Sequence, residues 1–225
     1  MAGKTFSPSM AELTLYAFQL AGLRPSSLLQ EHIESARMAT NMLLSTWSAM
    51  GVNLWEIDLQ TVPLVKEQES YTVPNGTVQV LDAYITIKDG GRSIDRQIMP
   101  ISRSEYATYP NKEQTGFPTV FWFENTLTPV IHLWPVPDGR EVSFNYYRMS
   151  VIGASDMQGG VMPEIPQYFI EAFALGLSAR LAAIWSPEKA AVLKAAADEA
   201  YSVAATANIE NTEVYIAPAL GGYYR

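Results

Sequence analysis

The hydrophobic period changes twice along this chain, and those two changes constrain the fold more than any single motif. Up to Gly51 the apolar residues recur at intervals of three and four, the spacing of one helix face. From Leu54 the interval becomes two: Trp55, Ile57, Leu59 and Thr61 alternate with Glu56, Asp58 and Gln60, as on a strand with one face buried and the other wet. Further strand-like runs lie at Val78 to Lys88, Arg96 to Ile101, Thr119 to Phe123, Leu127 to Leu133 and Glu141 to Met149. Asn75-Gly76 and Asp89-Gly90-Gly91 supply the positive-φ residues of tight hairpin turns. Short strands with Pro and Gly between them predict an antiparallel sandwich or barrel-like region, not βαβ units. Past Gly153 the helical period returns. The expected class is α+β: a helical bundle built from terminal hairpins, with the β region inserted into it.

Capping signals place the helices. Ser9-Met10-Ala11-Glu12 has the form of a capping box, and a helix is predicted from about 10 to 21, ended by Gly22. Ser27 with Gln30 repeats the signal before a longer amphipathic stripe through Leu29, Ile33, Ala36, Leu43 and Trp47. Between 167 and 185 a helix is predicted that is apolar nearly all round, interrupted by Gln167, Glu171, Gly176, Ser178 and Arg180. Such a helix is buried on several sides. The two charges inside it argue against a membrane span. Ser186-Pro187 then starts an alanine-rich helix over 187 to 207, proline being harmless at the first helical position. The last residues break every period and read as an arm. The divisions expected are a hairpin at 1–54, an antiparallel β domain at 55–155, a second hairpin at 156–208 packing on the first, and an extended arm at 209–225.

Composition excludes several classes of function. Fifteen Lys and Arg against 23 Asp and Glu give a net charge of -8, which removes any global attraction to nucleic acid or an anionic bilayer. Cysteine is absent, and with it thiol catalysis and cysteine metal sites. Of the two histidines, His32 sits in Glu31-His32-Ile33-Glu34 and reads as a solvated or capping residue. His132, between Ile131 and Leu133, reads as a surface or cross-strand residue. Glu56 and Asp58 share a strand face, yet their alternation is that of an ordinary wet face rather than a catalytic pair. No phosphate loop, nucleophile elbow or helical His pair occurs. The expectation is therefore no catalytic residue, no metal and no cofactor. The five tryptophans and 12 tyrosines read mainly as core, with Trp122 or Trp134 as the alternative platform for a sugar.

Several segments carry a resemblance. Gly116-Phe117-Pro118 before Val120-Phe121-Trp122-Phe123, Leu133-Trp134-Pro135-Val136-Pro137-Asp138-Gly139, Phe144-Asn145-Tyr146-Tyr147-Arg148, and Met162-Pro163-Glu164-Ile165-Pro166-Gln167-Tyr168 resemble, in this order, the head-to-tail adaptor or connector proteins of short-tailed bacteriophages. The resemblance implies a virion structural protein at the head-tail junction, found in the host cytoplasm during assembly. It implies a homo-oligomeric ring, usually of twelve subunits, bound beneath the portal protein. That ring carries the tail or nozzle protein and lets genomic DNA through its lumen without sequence-specific binding or a membrane. It also implies that the C-terminal arm reaches the portal, and Val214, Tyr215, Ile216, Tyr223, Tyr224 and Arg225 are the residues that would dock it. An arm with bulky anchors and no period of its own suits a segment that orders on a partner. The acidic balance suits a conduit that repels phosphate. The alternatives are a carbohydrate- or receptor-binding sandwich of a phage tail, a glycan hydrolase using Glu56 and Asp58, and a neck or tail ring at another position.

Overall fold

The computed structural model describes residues 6–89, 92–153 and 164–208. Helix α1 (Met10–Ala21) starts as the capping box predicts: the Ser9 hydroxyl accepts the Glu12 N–H at 3.2 Å, and the Glu12 carboxylate accepts the Ser9 N–H at 2.8 Å. Helix α2 (Gln30–Met50) starts otherwise. Ser27 lies in a short 3-10 turn, Pro25–Ser27, donating its hydroxyl to the Arg24 carbonyl. Leu29 is the N-cap, and its N–H is accepted by His32 Nδ1 at 3.0 Å. The capping role foreseen for His32 is correct and the solvated one is not, because the ring is buried and stacks on Trp185 at 4.2 Å between centroids.

A 3-10 turn at Gln167–Phe169 leads into α4 (Ile170–Trp185), and α5 (Pro187–Ala207) follows with Pro187 in its first turn. Between α2 and α4 in the chain lies α3 (Arg103–Thr108), a short helix capped by the Ser102 hydroxyl. Helix α4 is the axis of the helical part, packing against α1, α2 and α5. Phe173, Leu177 and Leu181 are fully buried along it. This explains its apolar circumference. Among the described residues Gln167–Trp185 is long and apolar enough to cross a membrane, but half of it is buried against neighbouring elements, as in a core helix of a bundle.

The β part is one curled sheet, a half-barrel. Its strands are β1 (Ile57–Pro63), β2 (Ser70–Thr72), β3 (Thr77–Asp89), β4 (Arg92–Pro100), β6 (Val120–Glu124), β7 (Val130–Trp134) and β9 (Val142–Ser150), in the order β1-β9-β3-β4-β6-β7-β2. The small pair of β5 (Thr115–Gly116) and β8 (Val136–Pro137) stands beside it. Register breaks in β3 opposite β9, between Thr77 and Gln79 and between Val80 and Ala83, supply the local bend that curls such a sheet. Ala83, Ile85, Ile98, Phe121, Ile131, Leu133, Phe144 and Tyr146 line its inner core.

Three sequence expectations change here. The pairing of β4 with β6 is parallel, since the chain crosses through α3 and β5 between them rather than making a hairpin. Asp89 does lie opposite Arg92, the hairpin expected there, but Asn75-Gly76 joins β2 to β3, which do not pair with each other. Gly76 has the expected positive φ, +82°, and uses it to pass between strands on distant sides of the sheet. The third change is the face of β1. Leu59 is exposed, while Asp58, Gln60 and Val62 stand opposite Arg148, Tyr146 and Phe144, the side chains of the inner face.

That reversal gives Asp58 a role. Its carboxylate lies 2.8 Å from Arg148 Nε, whose side chain is 15 % exposed, and the guanidinium also donates to the Thr77 hydroxyl at 3.1 Å. Exchanging the Asp58 carboxylate for an amide leaves a half-buried cation with neutral acceptors only. Asp58→Asn is expected to cost about 1–3 kcal/mol. Urea unfolding reads this as a lower midpoint at unchanged slope, and an unaltered midpoint would show the pair to be idle.

Candidate interaction surfaces

The sites predicted from sequence come apart in three dimensions. Glu56 sits in the 3-10 turn Leu54–Glu56 that precedes β1, not on the strand. Its carboxyl is held above the usual carboxylate range, chiefly by burial and then by the neighbouring Glu164 charge. Asp58 is engaged with Arg148. The Asp58 charge still adds to the upward push on Glu56, but its own carboxylate is taken by Arg148. Among the described residues no cluster of three or more His, Asp or Glu side chains is placed to hold a metal ion. The arm residues Val214, Tyr215, Ile216, Tyr223, Tyr224 and Arg225 lie outside the described residues.

His132 occupies the cross-strand position expected of it, opposite Trp122. Its ring stacks on Trp122 at 4.7 Å, and Nε2 lies 3.0 Å from a Glu124 carboxylate oxygen. Sequence reasoning missed what covers this pair. Helix α3 lays Tyr106 against both rings, at 5.3 and 5.7 Å, and Tyr109 stacks flat on Trp134 at 4.2 Å. Each tryptophan offered as a sugar platform thus has a tyrosine of the same chain packed against it. The β6 and β7 pattern placed Trp122 and His132 outward, so a covering element was inferable. Nothing local identified α3 as that element.

Where the helices meet the sheet, polar side chains strap the two connections together. Asn53, fully buried at the end of α2, donates from Nδ2 to the Ser150 carbonyl at the end of β9. The Ile152 N–H donates to the Ser48 hydroxyl at 3.0 Å, and Trp55 Nε1 donates to the Glu164 carbonyl at 3.0 Å. Asn208, just past α5, donates to the Val52 carbonyl and accepts from the Tyr168 hydroxyl. A cavity of about 580 Å³ opens beside this strap, lined by Leu54, Trp55, Leu81, Tyr147 and Tyr168 with Asp82 and Asn208 at its polar side. These bonds tie the helical part to the sheet across their connections.

Two further grooves flank α4. One, of about 610 Å³, runs between α1 and α4 past Leu13, Tyr16, Ile170 and Leu175. The other, of about 410 Å³, lies where α2 and α5 border α4, past Leu43, Met50 and Gly176. Phe6 and Tyr16 stand exposed along the first and Met50 along the second, and Met38, Met42, Ile184 and Val192 are exposed elsewhere on the helices. Exposed apolar side chains gathered at a groove are the kind of feature found at contact surfaces. No curated protein matches the chain. The family model of the SU10 adaptor protein matches it over residues 26–218.

Proposed function

The chain belongs to the SU10 adaptor protein family, a phage head-to-tail adaptor family, and from that premise we propose that it forms a ring beneath the portal protein, continues the DNA channel and gives the tail its platform. It is a structural component of the virion at the head-tail junction. The observation that carries the proposal is the family match, which spans both the helices and the sheet. Three features support it. The strap between the two parts makes a rigid block with separate helical and β surfaces. Exposed apolar side chains, Phe6, Tyr16 and Met50, line the grooves between the helices. The net charge of -8 gives a channel wall that repels phosphates and lets the duplex slide.

In this reading the arm beyond Asn208 docks on the portal through Val214, Tyr215, Ile216, Tyr223, Tyr224 and Arg225, and the protein acts without catalysis. Light scattering with electron microscopy, on the protein alone and after mixing with the portal of the same phage, tests the proposal. A ring stacked on the portal is expected. A monomer indifferent to the portal would overturn it.

A further inference from the structure

The two grooves beside α4 carry opposite charge. At 3.6 residues per turn, Ile170, Glu171, Ala174 and Leu175 fall on one side of α4, and Ala172, Gly176, Ala179 and Arg180 fall on the side roughly opposite. The first groove is rimmed by two acids, Glu12 and Glu171, and has no Lys or Arg in its lining. The second is rimmed by Arg180 and Lys194, with Asp198 as its single acid. Its floor depends on Gly176, since a Cβ there would meet the Leu43 side chain at 3.1 Å. A side chain at that position would fill the groove.

Glu12 is held by Ser9 in the α1 capping box, but the other charges that rim the two grooves, Glu171, Arg180 and Lys194, lack an ion-pair partner among the described residues. Among the described residues Arg180 makes no ion pair, and its guanidinium donates to the Thr46 hydroxyl at 3.1 Å. Burial pushes its pKa down. A half-buried cation without a carboxylate is costly unless a partner supplies one. Glu171 and Lys194 are exposed and also take part in no ion pair among the described residues. On the acidic side the half-exposed ring of Tyr16 and the exposed ring of Phe6 are anchors of the type that fill pockets at interfaces.

A head-to-tail contact needs two different, complementary surfaces on one chain, and it closes into a ring when the rotation permits. We propose that the occupant of the basic groove is a second copy of this chain, docking through the acidic α1/α4 side so that Glu171 and Glu12 face Arg180 and Lys194. This inference rests on the ring reading above and assigns its subunit contact.

Charge reversal at the two exposed positions tests it, because neither Glu171→Lys nor Lys194→Glu removes a packed side chain. Sedimentation velocity is run at low and high salt, with and without the portal. Each variant alone is expected to associate at least about tenfold more weakly than the parent protein. A 1:1 mixture of the two variants, and the chain carrying both substitutions, are expected to recover the parent assembly. Single variants that assemble like the parent would overturn the face assignment while leaving the ring intact. So would weakened variants that neither mixing nor combination rescues. A parent protein that stays monomeric with and without the portal would remove the ring reading, and this contact with it.

Discussion

A chain ending at Asn208 is expected to melt within about 2 °C of the full-length protein and to lose at least about a hundredfold in affinity for the portal. The first half of the expectation follows from where the packing stops. Ala204 is the last buried apolar residue of α5 among those described, and Asn208 closes the strap through Val52 and Tyr168. Both are kept. The second half follows from composition: residues 209–225 hold Val214, Tyr215, Ile216, Tyr223 and Tyr224 within seventeen positions, an anchor density typical of interface hot spots. Pull-down of the portal by the truncated chain, with circular dichroism as the folding control, gives the answer. Undiminished attachment would remove the arm from the docking surface and shift the role to the helices.

Replacing Phe169 by alanine is expected to destabilise the fold by about 4 kcal/mol, lowering the thermal midpoint by roughly 10 °C for a chain of this size. Phe169 is fully buried at the start of α4 and touches four aromatic rings. Trp47 of α2 and Trp55 before β1 lie at 5.2 and 5.1 Å, Tyr168 at 5.3 Å, and Tyr201 of α5 at 6.2 Å. It therefore joins three helices to the strand connection, and its loss leaves a cavity where helical part and sheet meet. Phe169→Leu keeps most of the volume and is expected to cost less than about 1.5 kcal/mol. Equal losses for the two variants, followed by differential scanning calorimetry, would place the effect outside the cavity.

The helix limits of α1 and α5 were readable because each depends on groups a few residues apart: Ser9 with Glu12, and Pro187 at a first turn. The α2 cap was misread for the same local reason. Ser27 and His32 both offer an acceptor near the right place, and the 3-10 turn at Pro25 together with the Trp185 ring over His32 settles which one is used. In β1 the period of two was right and the face was wrong. Alternation reports that a strand has two unlike faces, but the neighbour decides which face turns inward. Arg148, Tyr146 and Phe144 of β9 claim the side of Asp58, Gln60 and Val62.

The candidate surfaces divide the same way. Trp122 and His132 were placed on an outer face by sequence, and the tyrosines of α3 that close over them were not. Neither groove beside α4 was visible, because each is lined by residues from elements far apart in the chain.

Local chemistry and periodicity were enough to establish the α+β class, the order of the long helices and of the main strands though not the short β2, β5 and β8, the absence of cysteine chemistry and the acidic balance, since each is a property of one residue or of neighbours within a few positions. Only the tertiary structure decided the inward face of β1, the parallel pairing of β4 with β6, the polar strap and the opposite charge of the two sides of α4. Those are relations between residues separated by dozens of positions, set by packing free energy over the whole chain, and no short window of sequence contains them.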